Sequence, residues 1–388
     1  MATVNRKIGP VRVAFVMDYC GSLAGGTESQ LLTLVRGLDR NRFEPRMYLL
    51  RKPDMLSAAL PETPVATLGI GALARPNSVA RLVRFARDLK ADQIDLAHLY
   101  FPDTSIALPW LLRAAGLRVI VSRRDLGFWY SRGVLAALRV QRLAVAAVVA
   151  NCAAVRDRVV EAEGYNPDSV HVIYNGKELE LPTCTREEAR RALGLSPHGP
   201  VLLIVANLRP LKRVEDAVAA LPAVRARFPA AELVLVGSDY HGHSGASPAA
   251  KLREMAARLG IESAVRLEGE VADPRPYIVA ADVCLLCSET EGLSNSVLEY
   301  MLAGRPVVAT RVGGNCELIN DGVTGSLVEV GRPEEIAAAV IAYLENPTRA
   351  HEVGAAARSW STAHFSVKSM VDAHARLYES VLGTRLRG

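Results

Sequence analysis

Glu291 and Glu299, separated by seven residues, stand on either side of a helix start. The apolar run 283–286 stops before Ser288, Gly292 breaks the chain, and Ser294 or Asn295 is a good N-cap. The periodic apolar residues Val297, Leu298, Tyr300, Met301 and Leu302 read as a helix that Gly304 ends. A second apolar run, 306–310, leads into Gly313 and Gly314. The stretch 287–314 thus places a helix N-terminus beyond a strand's carboxyl end, where open parallel sheets bind ligands. Free N–H groups and the partial positive charge of a helix start suit a phosphate. A carboxylate beside a phosphate would repel it, so both glutamates are expected to hold hydroxyls. Paired carboxylates also serve glycoside hydrolysis, but only when both face one bond, and a phosphate-binding helix start between them argues against that.

These residues need a parallel sheet to hold them, and the chain supplies two. Apolar runs at 11–17, 47–50, 94–99, 118–122 and 145–150 alternate with helical patterns at 31–38, 78–90 and 104–115, the rhythm of a doubly wound α/β unit. The loop after the first run carries Gly25 and Gly26, whose missing side chains let backbone approach a ligand. The GxGxxG spacing of a dinucleotide fingerprint is absent. A polar, Pro-bearing stretch with one short helix at 186–193 follows, and the alternation restarts at 201–206. A Gly/His/Ser stretch at 240–247 reads as a flexible excursion. The expected organisation is α/β throughout: a Rossmann-like acceptor domain over 1–180, a linker over 181–199, a Rossmann-like donor domain over 200–350, and a helical segment over 351–388 crossing back to the first domain. Two such units imply a nucleotide-type ligand in a cleft between them.

Composition narrows the partners. Residues 1–190 carry 26 Lys+Arg against 19 Asp+Glu, a net +7, whereas 191–388 carry 20 against 22, a net −2. The basic first half suits an acidic partner, an anionic membrane surface or a phosphate-bearing acceptor, with Arg132, Arg139 and Arg142 beside apolar residues as the membrane face. No dense basic block interleaved with aromatics supports nucleic acid. The apolar run 143–150 has eight residues, and no apolar run is long enough to span a bilayer. The basic N-terminal tail lacks the apolar core of a signal peptide, so a cytoplasmic location is expected, with peripheral association at the inner membrane face. Cys284 and Cys287 form a CxxC inside an apolar run, where the two positions face opposite sides of a strand, so they are expected as buried free thiols rather than metal ligands.

With these features in order, the chain resembles the family-4 glycosyltransferases of the GT-B fold. The resemblance is dense over 200–330, where Ser288-Glu289-Thr290-Glu291-Gly292 through Glu299, then Ala303 to Thr310, Gly313-Gly314 and Glu317, look like that family's Glu-x7-Glu signature and its continuation. Arg209 and Lys212 look like its phosphate-holding cations, Gly25-Gly26 with Glu28 like its first-domain glycine loop, Tyr174-Asn175-Gly176 like its interdomain Asn-Gly, and His98 like another recurrent position. The resemblance implies a nucleotide diphosphate sugar as donor, transfer with retention to an acceptor hydroxyl, and a role in polysaccharide, glycolipid or glycoconjugate synthesis. Arg209 and Lys212 would neutralise the departing diphosphate in place of a metal, with Gly292, Leu293 and Ser294 adding N–H groups. Glu299 would hold the ribose and Glu291 the transferred sugar, with His98 near the sugar or acceptor. No enzymic nucleophile is implied; the departing phosphate takes the acceptor's proton. No Asp-x-Asp occurs, which disfavours the metal-dependent fold. One departure stands out: the family often carries His-Asp where this chain has Arg124-Asp125 after Arg123, so either these three meet an anionic sugar or acceptor, or the site has been rearranged, with a surface salt-bridge cluster as the other reading. Rival readings are a GT-B epimerase and a non-catalytic nucleotide-sugar-binding module.

Overall fold

The computed structural model describes residues 9–23, 25–239 and 247–383. Residues 1–8 of the basic tail and 240–246 of the Gly/His/Ser stretch lie outside them. By internal contacts the chain divides into two compact units, residues up to Gly176 together with those from Val367, and Lys177–Ser366.

The first unit holds a seven-stranded sheet: β1 (Val11–Met17), β2 (Phe43–Leu49), β3 (Val65–Thr67), β4 (Leu96–Leu99), β5 (Arg118–Arg123), β6 (Ala147–Ala150) and β7 (Val170–Val172), in the order β3-β2-β1-β4-β5-β6-β7. Every pairing is parallel. The central strands are near-continuous apolar runs because helices cover both faces; Val13 to Met17 are fully buried. The second unit holds β8 (Val201–Val205), β9 (Glu232–Val236), β10 (Val265–Gly269), β11 (Val283–Leu286), β12 (Val307–Thr310) and β13 (Ser326–Val328), all parallel, in the order β10-β9-β8-β11-β12-β13. Each sheet reverses its winding once, between β1 and β4 and between β8 and β11. Loops leaving the carboxyl ends of those strands part there and open a crevice.

Two boundaries differ from the sequence expectation. Residues 181–199 are not a free linker but part of the second unit. The Arg186–Ala192 helix opens with a Thr185/Glu188 capping box, and buried Arg190 reaches Asp282 at 2.5 Å and the Ala280 carbonyl at 3.0 Å. A polar composition read as linker because the acid that satisfies Arg190 lies 92 residues away. The terminal segment also splits. The Pro347–His364 helix stays with the second unit, while the Val367–Leu382 helix packs into the first unit's core through Met370, Val371, Ala375, Leu377 and Tyr378.

Candidate functional site

In the second unit, the loops after β8 and β11 meet at the switch point. The Pro210–Lys212 turn ends in Arg213, which takes a left-handed conformation at φ 45° and is held by a two-pronged contact with Asp216 at 2.8 and 2.9 Å. Across from it, the Glu289 N–H donates to the Leu211 carbonyl at 2.9 Å and ties the two loops together. Glu291 is the centre of the arrangement. Its Oε1 accepts from Lys212 Nζ at 2.5 Å and from Ser288 Oγ at 2.6 Å. Buried Ser288 is itself fixed, because its carbonyl accepts from Thr310 Oγ1 at 2.6 Å. A cation and a carboxylate are thus locked together at the carboxyl edge, each with a hydrogen-bonding face left over.

The helix Asn295–Leu302 starts beside this pair. Ser294 caps it, accepting from the Val297 N–H at 3.3 Å. Ser296 donates to the Val205 carbonyl and the Tyr300 hydroxyl accepts from the Val205 N–H, both at 2.7 Å, so the helix is pinned to the end of β8. The Gly314 N–H donates to the Gly292 carbonyl at 2.9 Å, and a side chain at Gly314 would place its Cβ 2.3 Å from that oxygen. Glycine is required there by close approach, and the approach holds the loop carrying Glu291 in place. Glu299 lies one turn into the helix and pairs with Lys177 at 2.7 Å, a partner the sequence reading missed. Arg209 lines a cavity of about 320 Å³ with Leu208, Pro210, Val214, Lys251 and Met255.

In the first unit, the structure separates the expected site residues into different roles. Gly25 is the N-cap of the Gly26–Gly37 helix, and the Glu28 carboxylate folds back over it, 2.2 Å from where a Cβ would stand. His98 is withdrawn from the site: it lies inside β4 with no exposed surface, its Nδ1 2.8 Å from the Tyr378 hydroxyl and its Nε2 2.9 Å from Ser122 Oγ. Phe15, Tyr100, His374 and Tyr378 pack around the ring. Arg123 is a core residue too. Its guanidinium clasps Glu163 at 2.7 and 2.9 Å and donates to Ser105 Oγ at 3.0 Å. Asp125 caps its own loop, accepting from the Gly127 N–H at 2.7 Å and Trp129 Nε1 at 3.0 Å; burial raises its pKa. For His98 and Arg123 the signal was absent locally, since Tyr378 and Glu163 lie 280 and 40 residues away, whereas Asp125 takes its partners from within four residues.

Arg124 is the exception. Its Nη2 donates to Asn175 Oδ1 at 2.6 Å, and among the described residues it forms no ion pair. Burial pushes its pKa down, and nearby groups, Tyr100 and the Glu28 carboxylate among them, offset this only in part. It follows β5 at the sheet's carboxyl edge, a cation positioned by a neutral amide and suited to a ligand anion.

The two buried imidazoles behind it make the first unit acid-sensitive. Burial, then the charges of His374 and Arg124, hold His98 well below the ordinary 6.5, and burial brings His374 down to about 4. The unfolded chain therefore takes up more protons as pH falls below 6.5, and the stabilisation is present above that value and lost toward about 4. Asp18, raised by burial to about 6, works in the opposite sense, so the comparison must be between variants. Between about pH 7.5 and about pH 5.5 the native chain should lose about 1.4 kcal/mol more stability than His374→Gln, measured by urea unfolding.

With fold and geometry in hand, the chain can be placed. The model described as Glycosyltransferase Family 4 matches residues 24–181, and that described as Glycosyl transferases group 1 matches 199–346. Two parallel-sheet units of seven and six strands make this a GT-B fold, and the chain belongs to the family-4 glycosyltransferases. It is 31% identical over 251 residues to D-inositol 3-phosphate glycosyltransferase 2 of Catenulispora acidiphila, covering 62% of this chain and 58% of that protein. It is 29% identical over 195 residues to N-acetyl-alpha-D-glucosaminyl L-malate synthase of Bacillus anthracis, covering 50% and 49%. The chain spans about half the length of the curated relatives it matches. Among solved structures, HepE of Anabaena in complex with UDP superimposes with a TM-score of 0.84 at 22% identity, covering 95% of this chain and all of that one. A glycosyltransferase of Rickettsia africae does so with 0.83 at 16% identity, covering 97% and all of it. Among the described residues no helix is long and apolar enough to cross a membrane.

Proposed function

We propose that the chain is a retaining glycosyltransferase that moves a sugar from a nucleotide diphosphate sugar to a hydroxyl of a small anionic acceptor, without a metal. The observation that carries the reading is the Lys212–Glu291–Ser288 constellation at the β8/β11 switch point, beside the start of the Asn295–Leu302 helix. Lys212 and the helix-start N–H groups stabilise the charge that develops on the departing diphosphate, and Arg209 adds a second cation. Glu291, oriented by Ser288, holds a hydroxyl of the transferred sugar, and Glu299 exchanges part of its contact with Lys177 for the ribose. The departing phosphate accepts the acceptor's proton on the face it leaves. The acceptor class comes from Arg124, which is held by the neutral Asn175 amide and forms no ion pair among the described residues. The relatives' names agree with it, since D-inositol 3-phosphate and L-malate are both small anions. The product is then a small glycoconjugate made in the cytoplasm.

The test is to incubate the chain with UDP-, GDP- and ADP-linked sugars in chelator, with inositol, inositol 3-phosphate or malate as acceptor, and to follow product by NMR. One base should support transfer to an anionic acceptor with the anomeric configuration kept, and the matching nucleoside diphosphate should raise the melting temperature by mass action. Arg124→Gln should raise the acceptor KM about tenfold or more with little change in donor KM. Isomerised donor without transfer, or nucleotide binding without turnover, would overturn the proposal.

A further inference from the structure

The charge excess of the first half is concentrated. Over residues 104–156 the chain carries eight arginines, Arg113, Arg118, Arg123, Arg124, Arg132, Arg139, Arg142 and Arg156, no lysine, and Asp125 as the one acid. Arg123 and Arg124 belong to the interior and the ligand edge described above. The exposed Arg113, Arg118, Arg132, Arg139 and Arg142 form no ion pair among the described residues. What sets these five apart is the stretch they share, in which Asp125 is the one acid.

The same stretch also exposes apolar side chains. Trp110, Val140 and Leu143 are 42%, 57% and 55% exposed. They form one patch: Trp110 Nε1 donates to the Val140 carbonyl at 3.2 Å, Arg113 donates to the Leu143 carbonyl, and the Arg113 guanidinium lies 5.8 Å from the centre of the Trp110 ring. The patch joins the Pro109–Ala114 helix to the end of the Arg132–Gln141 helix. Arg118 opens β5 and Arg142 lies shortly before β6, so the patch reaches the amino edge of the parallel sheet. The ligand loops leave from the opposite, carboxyl edge.

We propose that this face adsorbs to an anionic lipid surface. Exposed tryptophan and aliphatic side chains among free arginines have the composition of an interfacial anchor: the rings and chains enter the headgroup boundary while the guanidinium groups meet lipid phosphates. A second copy of the chain fits the patch poorly, because it would bring the same arginines together. Nucleic acid would engage the arginines but would not need Val140 or Leu143. The placement leaves the carboxyl edge of the first unit's sheet turned from the lipid, so adsorption is independent of the proposed transfer reaction.

The full chain should be co-sedimented with phosphatidylcholine vesicles with and without phosphatidylglycerol. Binding should be about tenfold stronger with the anionic lipid, weaken with added salt, and fall in both Trp110→Ser/Leu143→Ser and Arg118→Gln/Arg142→Gln, each with a native urea midpoint and unchanged transfer to a soluble acceptor. Equal binding to both vesicle types, or none, overturns the proposal. So does loss in the arginine variant alone together with competition by duplex DNA, which would mark a general polyanion surface.

Discussion

Lys212→Ala should lower kcat/KM for sugar transfer by about two to three orders of magnitude, the usual loss when one preorganised donor to a developing oxyanion is removed. Lys212 Nζ sits 2.5 Å from Glu291 Oε1 in a pair that keeps 22% and 11% of its side-chain surface. The pair is neither fully wet nor fully buried, so its loss should cost only about 1 kcal/mol of stability, visible as a small shift in the urea midpoint. A large kinetic effect with a small stability effect is the signature of a group held for chemistry. Glu291→Ala should give a loss of similar size, through the sugar hydroxyl and through the release of Lys212 from its position. Glu291→Gln keeps the size and can still accept from Ser288, so it should fall between the native chain and the alanine variant. Lys212→Arg should not restore the rate, because a planar fork on a longer side chain cannot occupy the point contact that the ammonium makes. Near-native turnover in both alanine variants would remove the second unit's switch point from the mechanism.

The stretch around Glu291 was legible because its information is local. The stop at Ser288, the break at Gly292, the cap at Ser294 and the terminator at Gly304 are all short-range signals, and the structure uses each of them. The alternation of apolar runs with helical patterns was legible for the same reason, and the switch points then follow from parallel winding. Pairings between distant residues were not legible. Glu299 and Lys177 are 122 residues apart, His98 and Tyr378 280, Arg123 and Glu163 40. At each of these positions the residue type announced polarity, and polarity in a strand end reads equally well as a ligand contact or as a satisfied core group. What decides is whether the fold brings a partner, as it does for His98, Arg123 and Asp125, whereas Arg124 forms no ion pair among the described residues. The Val367–Leu382 helix shows the cost most clearly, since it delivers Tyr378 and His374 from the end of the chain into the first unit's core.

Removing the charge from Glu163 should be the most destabilising of the conservative substitutions in the first unit. Arg123 is 4% exposed and Glu163 fully buried, and the guanidinium spends its donors on both carboxylate oxygens and on Ser105. Tyr130 donates its hydroxyl to the same Oε1. Burial opposes the charge on Arg123, and Glu163 more than offsets it, so the arginine stays protonated in the core. Glu163→Gln leaves that charge without a counter-ion, which costs about 3–5 kcal/mol when a buried pair is broken from one side. Replacing both partners tells a different story: Arg123→Leu/Glu163→Leu removes the desolvation cost together with the attraction and should recover most of the loss. Urea unfolding of Glu163→Gln and of the double variant measures this directly. The kinetic side separates Arg123 from its neighbour. Glu163→Gln should lower activity only as the folded fraction falls, with the acceptor KM unchanged, whereas Arg124→Gln should raise that KM while leaving the midpoint within about 1 kcal/mol of native. A raised acceptor KM in a fully folded Glu163→Gln chain would return Arg123 to the site and reverse the division of roles between these two adjacent arginines.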